Sequence, residues 1–396
     1  MNAEPKGPLS GVKVVDFTIQ LAGPLSTMIL GEMGAEVIKI EQPGKGAPER
    51  AGSPTYHGLS AYFLGTGWTK KSVTLNLKTE EGLAIVRQLV KSCDVVVQNF
   101  RPGVADRLGI GYGDLRKIND RLVYCSIAGF DKDHPFGSKP SFDLIAQALT
   151  GLVSLYAGRQ TRPTIPLSLV DLTTGIMASH AILAALYNRE KSGRGEHVQV
   201  SLFRSALFLL SPSVQGLLQG IESGIDPYTR VKHVGFLGVF TDVNGEYFVV
   251  EAPDDNFFHR LGVIPELRSI VEKEAYRTKS DRAKNWDKLD SEMQNAFSKR
   301  DREYWLRLID GAGIPCAPVL SVDEVFADSF NSRYLRSVVD GEWGTMKTVG
   351  YPADFESAGN ADYRRPPSLG ENTEEVLESL GHTKAKIEEL KKKGVI

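Results

Sequence analysis

Five short β-rich runs alternate with apolar patterns of helical period over the first 200 residues, and this alternation constrains the fold more than any other feature. VKVVDF (12–17), EVIKIE (36–41), SVTLNL (72–77), DVVVQNF (94–100) and RLVYCSIAG (121–129) are the strand candidates. GPLSTMILGEMG (23–34) and TEEGLAIVRQLVKS (79–92) carry the three-to-four residue apolar spacing of helices. Strands that alternate with helices build a largely parallel sheet, because each parallel crossover needs a connection about as long as a helix. A long helix is expected from Leu172 to about Lys191, ending at SGRG (192–195), where glycine terminates it.

The pattern changes after residue 201. LFRSALFLLSPSVQGLLQGIE (202–222) is apolar and helical in period but interrupted by Pro212, and the turn-rich GIDPYTR follows, so 202–230 reads as a linker. GVFTDVNGEYFVV (238–250) is a hairpin signal, since Asn244-Gly245 suits a two-residue type I′ turn. Charged helical patterns follow to about 312. The expected architecture is α/β: a large Rossmann-like open-sheet domain (1–201), a smaller α+β domain (231–320), and a C-terminal segment (321–396) that returns to the large domain. That segment closes with two short amphipathic helices, and Lys391, Lys392 and Lys393 read as a solvated cap on the last one.

Several function classes are disfavoured at once. A net charge of −2 over 396 residues supplies no general attraction for nucleic acid. Cys93, Cys125 and Cys316 lie far apart with no CxxC spacing, so they read as reduced, buried thiols, and no metal site is expected. The start MNAEPKGPLSG lacks the features of a signal peptide, and no run reaches the ~18 apolar residues of a membrane span, so a soluble, cytoplasmic protein is expected. GIGYGD (109–114) spaces its glycines like part of a dinucleotide finger but neither follows a strand directly nor opens a helix as that motif requires.

Chemistry-bearing residues gather at the ends of the strand candidates. DVVVQNF runs into Asn99, Phe100 and Arg101, and a Pro-Gly turn leads to Arg107; two guanidinium groups and an aromatic ring suit a phosphate and a flat base, or else form a solvated turn. In PSFDLIAQALTG (140–151), Ser141 and Asp143 precede an apolar helix, and Asp143 reads as its cap. Asp171 is the lone acid in IPLSLVDLTTGIMASHAILAAL (165–186). It suits the N-cap of the long helix, which would keep it ionised, and equally a carboxylate nucleophile with Thr173, Thr174 and Gly175 leaving room for substrate. His180 on that helix reads as a packed side chain.

Together these segments resemble the class III CoA-transferases of the CaiB/BaiF type, which include related α-methylacyl-CoA racemases. The resemblance runs from LSGVKVVDFTIQLAGPLSTMILGEMGAEVIKIEQPG through KKSVTLNLKTEEG, DVVVQNFRPGVADRLGIGY and PSFDLIAQALTGL to VDLTTGIMASHAILAALYNREKSGRGEHVQVSLF, and returns in GIPCAPVLSVDEV and LGENTEEVLESLG. By that resemblance Asp171 is the nucleophile, passing through an aspartyl mixed anhydride and an aspartyl-CoA thioester. Ala22, Leu75, Lys78, Asn99, Phe100, Arg101, Arg107 and Lys139 fall where the family holds CoA, and Gln42 stands where some members have arginine near the adenine. The resemblance implies no permanently bound cofactor, CoA thioesters as substrates, an interlocked homodimer, and no nucleic-acid or membrane partner. A small dicarboxylate such as succinate is the expected donor or acceptor; Arg230, Lys232 and His233 either face its second carboxylate or, as the preferred reading, belong to a solvated linker. The racemase branch has a histidine in a segment that aligns with Ser141-Phe142-Asp143, where Phe142 stands here. The glycine-rich loop of formyl-CoA transferases is not evident between 220 and 260, which disfavours formyl or oxalyl specificity. The alternatives to a transferase are a racemase-like enzyme and a CoA-binding protein without turnover.

Overall fold

The computed structural model describes residues 7–157, 167–220, 236–359 and 361–396. Six parallel strands form the main sheet: β1 (Lys13–Asp16), β2 (Glu36–Glu41), β3 (Lys70–Thr74), β4 (Val95–Gln98), β5 (Val123–Ala128) and β6 (Glu196–Ser201). Their spatial order is β3-β2-β1-β4-β5-β6, with Val14 of β1 in register with Val37 on one side and Val95 on the other. This is the doubly wound Rossmann order, which reverses direction between β1 and β4. The first five strands coincide with the sequence runs within a few residues. β6 went unread because it is an edge strand with a half-exposed, polar-alternating sequence, EHVQVS, and it is recruited by pairing with β5.

Both faces of the sheet are covered. Helix α1 (Ala22–Glu32), α3 (Asp143–Leu149), α4 (Leu169–Ser192) and α5 (Leu202–Leu218) supply one core with Val14, Val97 and Ile127; Val170, Ala178, Ile182 and Ala206 are fully buried in it. On the other face α2 (Glu80–Ser92) packs Ile85, Val86, Leu89 and Val90 on Val15 and Val96. The helices Thr373–Ser379 and Lys384–Lys392 return to this second face with Val376, Leu377, Ile387 and Leu390. Thr79 starts α2 by accepting the Gly82 N–H at 3.1 Å. The terminal lysines 391 and 393 pair with Glu374, Glu388, Glu389 and Glu81.

The chain divides into two compact units, Met1–Ser223 with Tyr334–Ile396, and Gly224–Arg333. The stretch read as a linker is occupied to Leu218 by α5, which tolerates Pro212 and buries Leu202, Ser205, Ala206 and Leu210; tertiary packing overrides the local breaker. The second unit runs on to Arg333 rather than ending at 320. It holds an antiparallel sheet of β7 (Phe236–Thr241), β8 (Tyr247–Ala252) and β9 (Cys316–Pro318) around an aromatic core that includes Phe240, Phe248, Phe297 and Trp305. The hairpin turn differs from the two-residue form expected. Asp242 N–H bonds Glu246 O, only Gly245 in the turn has a positive φ (81°), and Asp242 Oδ1 accepts the N–H groups of Asn244 and Glu246. The aspartate side chain thus stabilises a longer loop.

Among the described residues one helix, Leu169–Ser192, is long and apolar enough to cross a membrane by length and composition, contrary to the expectation of no such run. The Ser, Thr, Gly and His within it masked the signal; in the fold Val170, Ala178, Ile182, Ala185 and Leu186 are buried in the core it shares with α1, α5 and the sheet, while Ile176 and Tyr187 are exposed.

Candidate functional site

The strands β1 and β4 diverge at the switch point, and the chain leaving their carboxyl ends walls a cavity of about 330 Å³. Ile19, Gln20 and Ala22 come from the turn after β1, and Asn99, Phe100, Arg101 and Pro102 from the turn after β4. Phe130, Lys139, Ser141 and Phe142 close the far side, and Asp171 enters from the first turn of α4. The crevice outside the carboxyl ends at such a switch point is where open α/β sheets bind ligands.

The turn after β1 is held from below by buried charge that the sequence reading missed. Asp16 is fully buried at the end of β1; its Oδ1 accepts Thr18 N–H (2.8 Å) and Oγ1–H (2.5 Å), and its Oδ2 accepts from Thr27 Oγ1 (2.6 Å) and Lys70 Nζ (3.0 Å). Burial alone would raise the Asp16 carboxyl, but the Lys70 and Lys39 charges outweigh it and hold the group at about 2. Lys39 Nζ donates to Thr18 O (2.7 Å) and pairs with Glu49 (3.0 Å), whose Oε2 accepts the Gln20 N–H at 2.9 Å. That last bond matters because Gln20 has a φ of 68°, a left-handed conformation that costs a non-glycine residue about 1 kcal/mol or more. The available signal was a pair of charged residues, Asp16 and Lys39, inside apolar strand runs, where unpaired charge is too costly to persist.

Asn99 clamps the same turn. Its Oδ1 accepts Ile19 N–H (2.9 Å) and its Nδ2 donates to Ile19 O (2.7 Å), so both ends of the amide are spent on the loop that it was expected to leave free for a nucleotide. Ala22 heads α1, whose N-cap Leu21 supplies no side-chain cap. The positive end of α1 therefore faces the cavity that Ala22 lines. Arg101 and Lys139 are exposed at the cavity, and Lys139 lies over the Phe136 ring at 4.3 Å. Three expected site residues lie outside its lining. Leu75 is buried in the α2-side core, where Phe100 packs against it, while Lys78 and Arg107 are exposed. Gln42 is also exposed away from the cavity. Arg230, Lys232 and His233 lie outside the described residues.

Asp171 is not the N-cap of its helix. The helix begins two residues earlier, at Leu169, the N-cap is Ser168 without a side-chain bond, and Asp171 is half-buried in the first turn. The cap comes from Asp143, whose Oδ1 accepts the N–H groups of Val170 (2.7 Å) and Asp171 (2.9 Å). Asp143 therefore does not cap its own helix α3, whose N-cap is Phe142. Sequence proximity suggested the wrong helix because the true partners are 27 and 28 residues away. Nor is Asp171 favoured as an anion: burial first, then the Asp143 charge, push its carboxyl up to about 6. It remains largely ionised at neutral pH but more basic than an ordinary carboxylate. Of the small residues after it, Thr173 and Thr174 bond back to Leu169 O and Val170 O, and Gly175 packs against α1; none of the three lines the cavity. His180 is exposed rather than packed.

Among the described residues no group of three or more His, Cys, Asp or Glu is placed to hold a metal ion; the three cysteines are free thiols, and Cys93 and Cys125 are buried while Cys316, in the short strand β9, is only half-buried.

Fold and cavity define an α/β protein with a cavity at the switch point of a parallel sheet and a half-buried, more basic carboxylate, Asp171, in its wall. Residues 9–373 match CoA-transferase family III, and the chain belongs to that family of enzymes. Human succinyl-CoA:glutarate CoA-transferase is 32% identical over 394 residues, covering 98% of this chain and 90% of the relative. Acetyl-CoA:oxalate CoA-transferase of Acetobacter aceti is 36% identical over 327 residues, 81% of this chain and 83% of the relative. A CAIB/BAIF family protein from Brucella suis superposes with a TM-score of 0.82 at 29% identity, covering 95% of this chain and all of its own.

Proposed function

We propose that this CoA-transferase moves CoA between carboxylic acids through Asp171. The observation that carries the proposal is the cavity itself, which brings Asp171 together with Ala22, Asn99, Phe100, Arg101 and Lys139 at the switch point. An Asp171 carboxylate oxygen attacks the thioester carbonyl of the donor; the C–S bond breaks, CoA leaves as thiolate, and a mixed anhydride remains. The thiolate attacks the aspartyl carbonyl, releasing the donor carboxylate and forming an aspartyl-CoA thioester. The acceptor carboxylate attacks the aspartyl carbonyl of that thioester, the C–S bond breaks and a second mixed anhydride forms; the expelled thiolate then attacks the acceptor carbonyl of this anhydride, giving the new thioester and releasing the Asp171 carboxylate. Each step exchanges one acyl bond for another, so the group-transfer energy is kept provided water is excluded.

In this reading Arg101 and Lys139 attract the anionic substrates, and the Ala22 end of α1 meets the developing oxyanion. Lys78 and Arg107, exposed outside the cavity, remain available to the phosphates of CoA, and the Phe100 ring at the cavity wall offers an apolar surface to the cofactor part of the substrate. The acid is a small dicarboxylate such as succinate, supported by the substrates in the name of the human relative. A racemase needs two acid/base groups around an α-carbon, and Phe142 rather than a histidine lines this cavity. The active form is a homodimer: Leu144, Ile145 and Leu149 on α3 and Leu207, Phe208 and Leu218 on α5 are all exposed, an apolar display that a solitary chain would leave in water.

Incubation with succinyl-CoA and hydroxylamine tests the mechanism. The expected result is loss of activity with a hydroxamate at Asp171, found by peptide mass mapping and absent in Asp171→Ala. Bound CoA with no adduct at Asp171 would refute the covalent route and favour a binding protein. The same preparation, offered a panel of acids, identifies the acceptor by the mass of the thioester formed.

A further inference from the structure

The half-buried carboxylate of Asp143, beside the nucleophile, has no part in the steps above, yet it is the most specifically placed acid near the cavity. We propose that Asp143 is a positioning residue for the transfer reaction, fixing the start of α4 by its hydrogen bonds and holding a negative charge behind Asp171 that favours the acylated forms of that side chain. The inference rests on Asp171 as nucleophile.

The geometry is directional. One oxygen of Asp143 takes both N–H groups at the head of α4, including that of Asp171 itself, and the other accepts from Gln147 Nε2. Gln147 is fully buried, and its Oε1 has no partner among the described residues, so its amide is committed to orienting Asp143. Ser168, the residue in the N-cap position, contributes no cap; its hydroxyl lies 3.1 Å from Tyr62 Oη instead. The backbone carrying the nucleophile is thus tied to α3 rather than to its own N-terminus.

The charge has a chemical consequence. Acylation converts the Asp171 anion into a neutral anhydride or thioester. A fixed anion next to it raises the energy of the free carboxylate more than that of the neutral adduct, and so shifts the balance toward the adduct. The raised carboxyl of Asp171 is consistent with this, burial being the larger cause and Asp143 the next. The other charged groups at the cavity are Arg101 and Lys139, from the turn after β4 and the segment before α3. The elements β5, α1 and α5 contribute only Ile127, Ala128, Ala22 and Leu202 to it, none of which titrates.

Asp143→Asn tests the idea with little change of shape. An asparagine oxygen can keep both backbone bonds, and Gln147 can turn its amide to present Oε1 to the new NH₂ group. In the wild type, the acid limb of kcat/KM is expected near pH 6. In the variant it should move down by roughly half a unit to one unit, with a smaller yield of Asp171 hydroxamate at equal acyl-CoA and a KM changed less than about twofold. Asp143→Ala, which also removes the cap, should show the same limb shift together with a lower Tm. A variant limb and hydroxamate yield equal to wild type would overturn the proposal, as would a limb that moves in the alanine variant only. The wild type alone supplies an independent check, because an acid limb at the ordinary carboxylate value near 3.8 would refute it with no variant needed. Failure of the wild type to form any hydroxamate would instead strike the nucleophile assignment.

Discussion

Gly175 couples the packing of the long helix to the active-site wall, and Gly175→Ala should reveal it. The residue sits one turn beyond Asp171 on α4, and a Cβ built there would lie 2.7 Å from Ala22 O, 3.0 Å from Leu25 Cδ2 and 3.1 Å from Leu25 Cβ. The leucine methyl can rotate, but the Ala22 carbonyl is backbone and cannot, so α1 must move away by several tenths of an ångström. Two effects oppose each other. Alanine is the better helix former by about 1 kcal/mol, and overpacking a close contact costs about 1–3 kcal/mol. The contact should win, leaving the protein less stable by about 1 kcal/mol, or a Tm lowered by roughly 2–4 °C in a domain of this size. Because Ala22 lines the cavity, kcat should fall as well, while the exposed Gly311→Ala, which meets nothing within 4 Å, should leave Tm equal or slightly higher with full activity. Thermal unfolding by circular dichroism and steady-state transfer assays read both variants. A Gly175→Ala protein with raised Tm and unchanged kcat would refute the close-contact argument.

Lys70→Met should destabilise the fold by about 3–5 kcal/mol, because it leaves Asp16 buried with only Lys39 to offset it. Asp16 is held at about 2 in the folded state against an ordinary 3.8, so its contribution is present above the higher value and fades as pH falls through the lower one; the gap in unfolding midpoint between wild type and variant should narrow over that window. A gap that stays constant across it would show that the pair is not the cause. Light scattering should give about twice the 43.4 kDa chain mass, and a monomer at micromolar concentration would refute the homodimer.

The local grammar of this sequence determined its elements. Short, nearly continuous β-rich runs and helices of period 3.6 place β1 to β5, α1 and α2 almost where they lie, because strands covered on both faces of a parallel sheet and helices packed on it demand those patterns. The order of the chain also placed the chemistry, since residues after β1 and β4 must emerge at the carboxyl edge, and Ala22, Asn99, Phe100, Arg101, Lys139 and Asp171 meet there. What each does was decided only in three dimensions. Asn99 is a loop clamp through a bond 80 residues long, and Asp143 caps α4 rather than α3. The Gln20 turn rests on Asp16, Lys39, Lys70 and Glu49, charges scattered over three strands and a loop. Hydropathy periods report which way a side chain faces. They carry no record of which donor a buried carboxylate will find, and that choice, made by packing between elements distant in the chain, turns a plausible helix cap into a basic carboxylate beside a second anion.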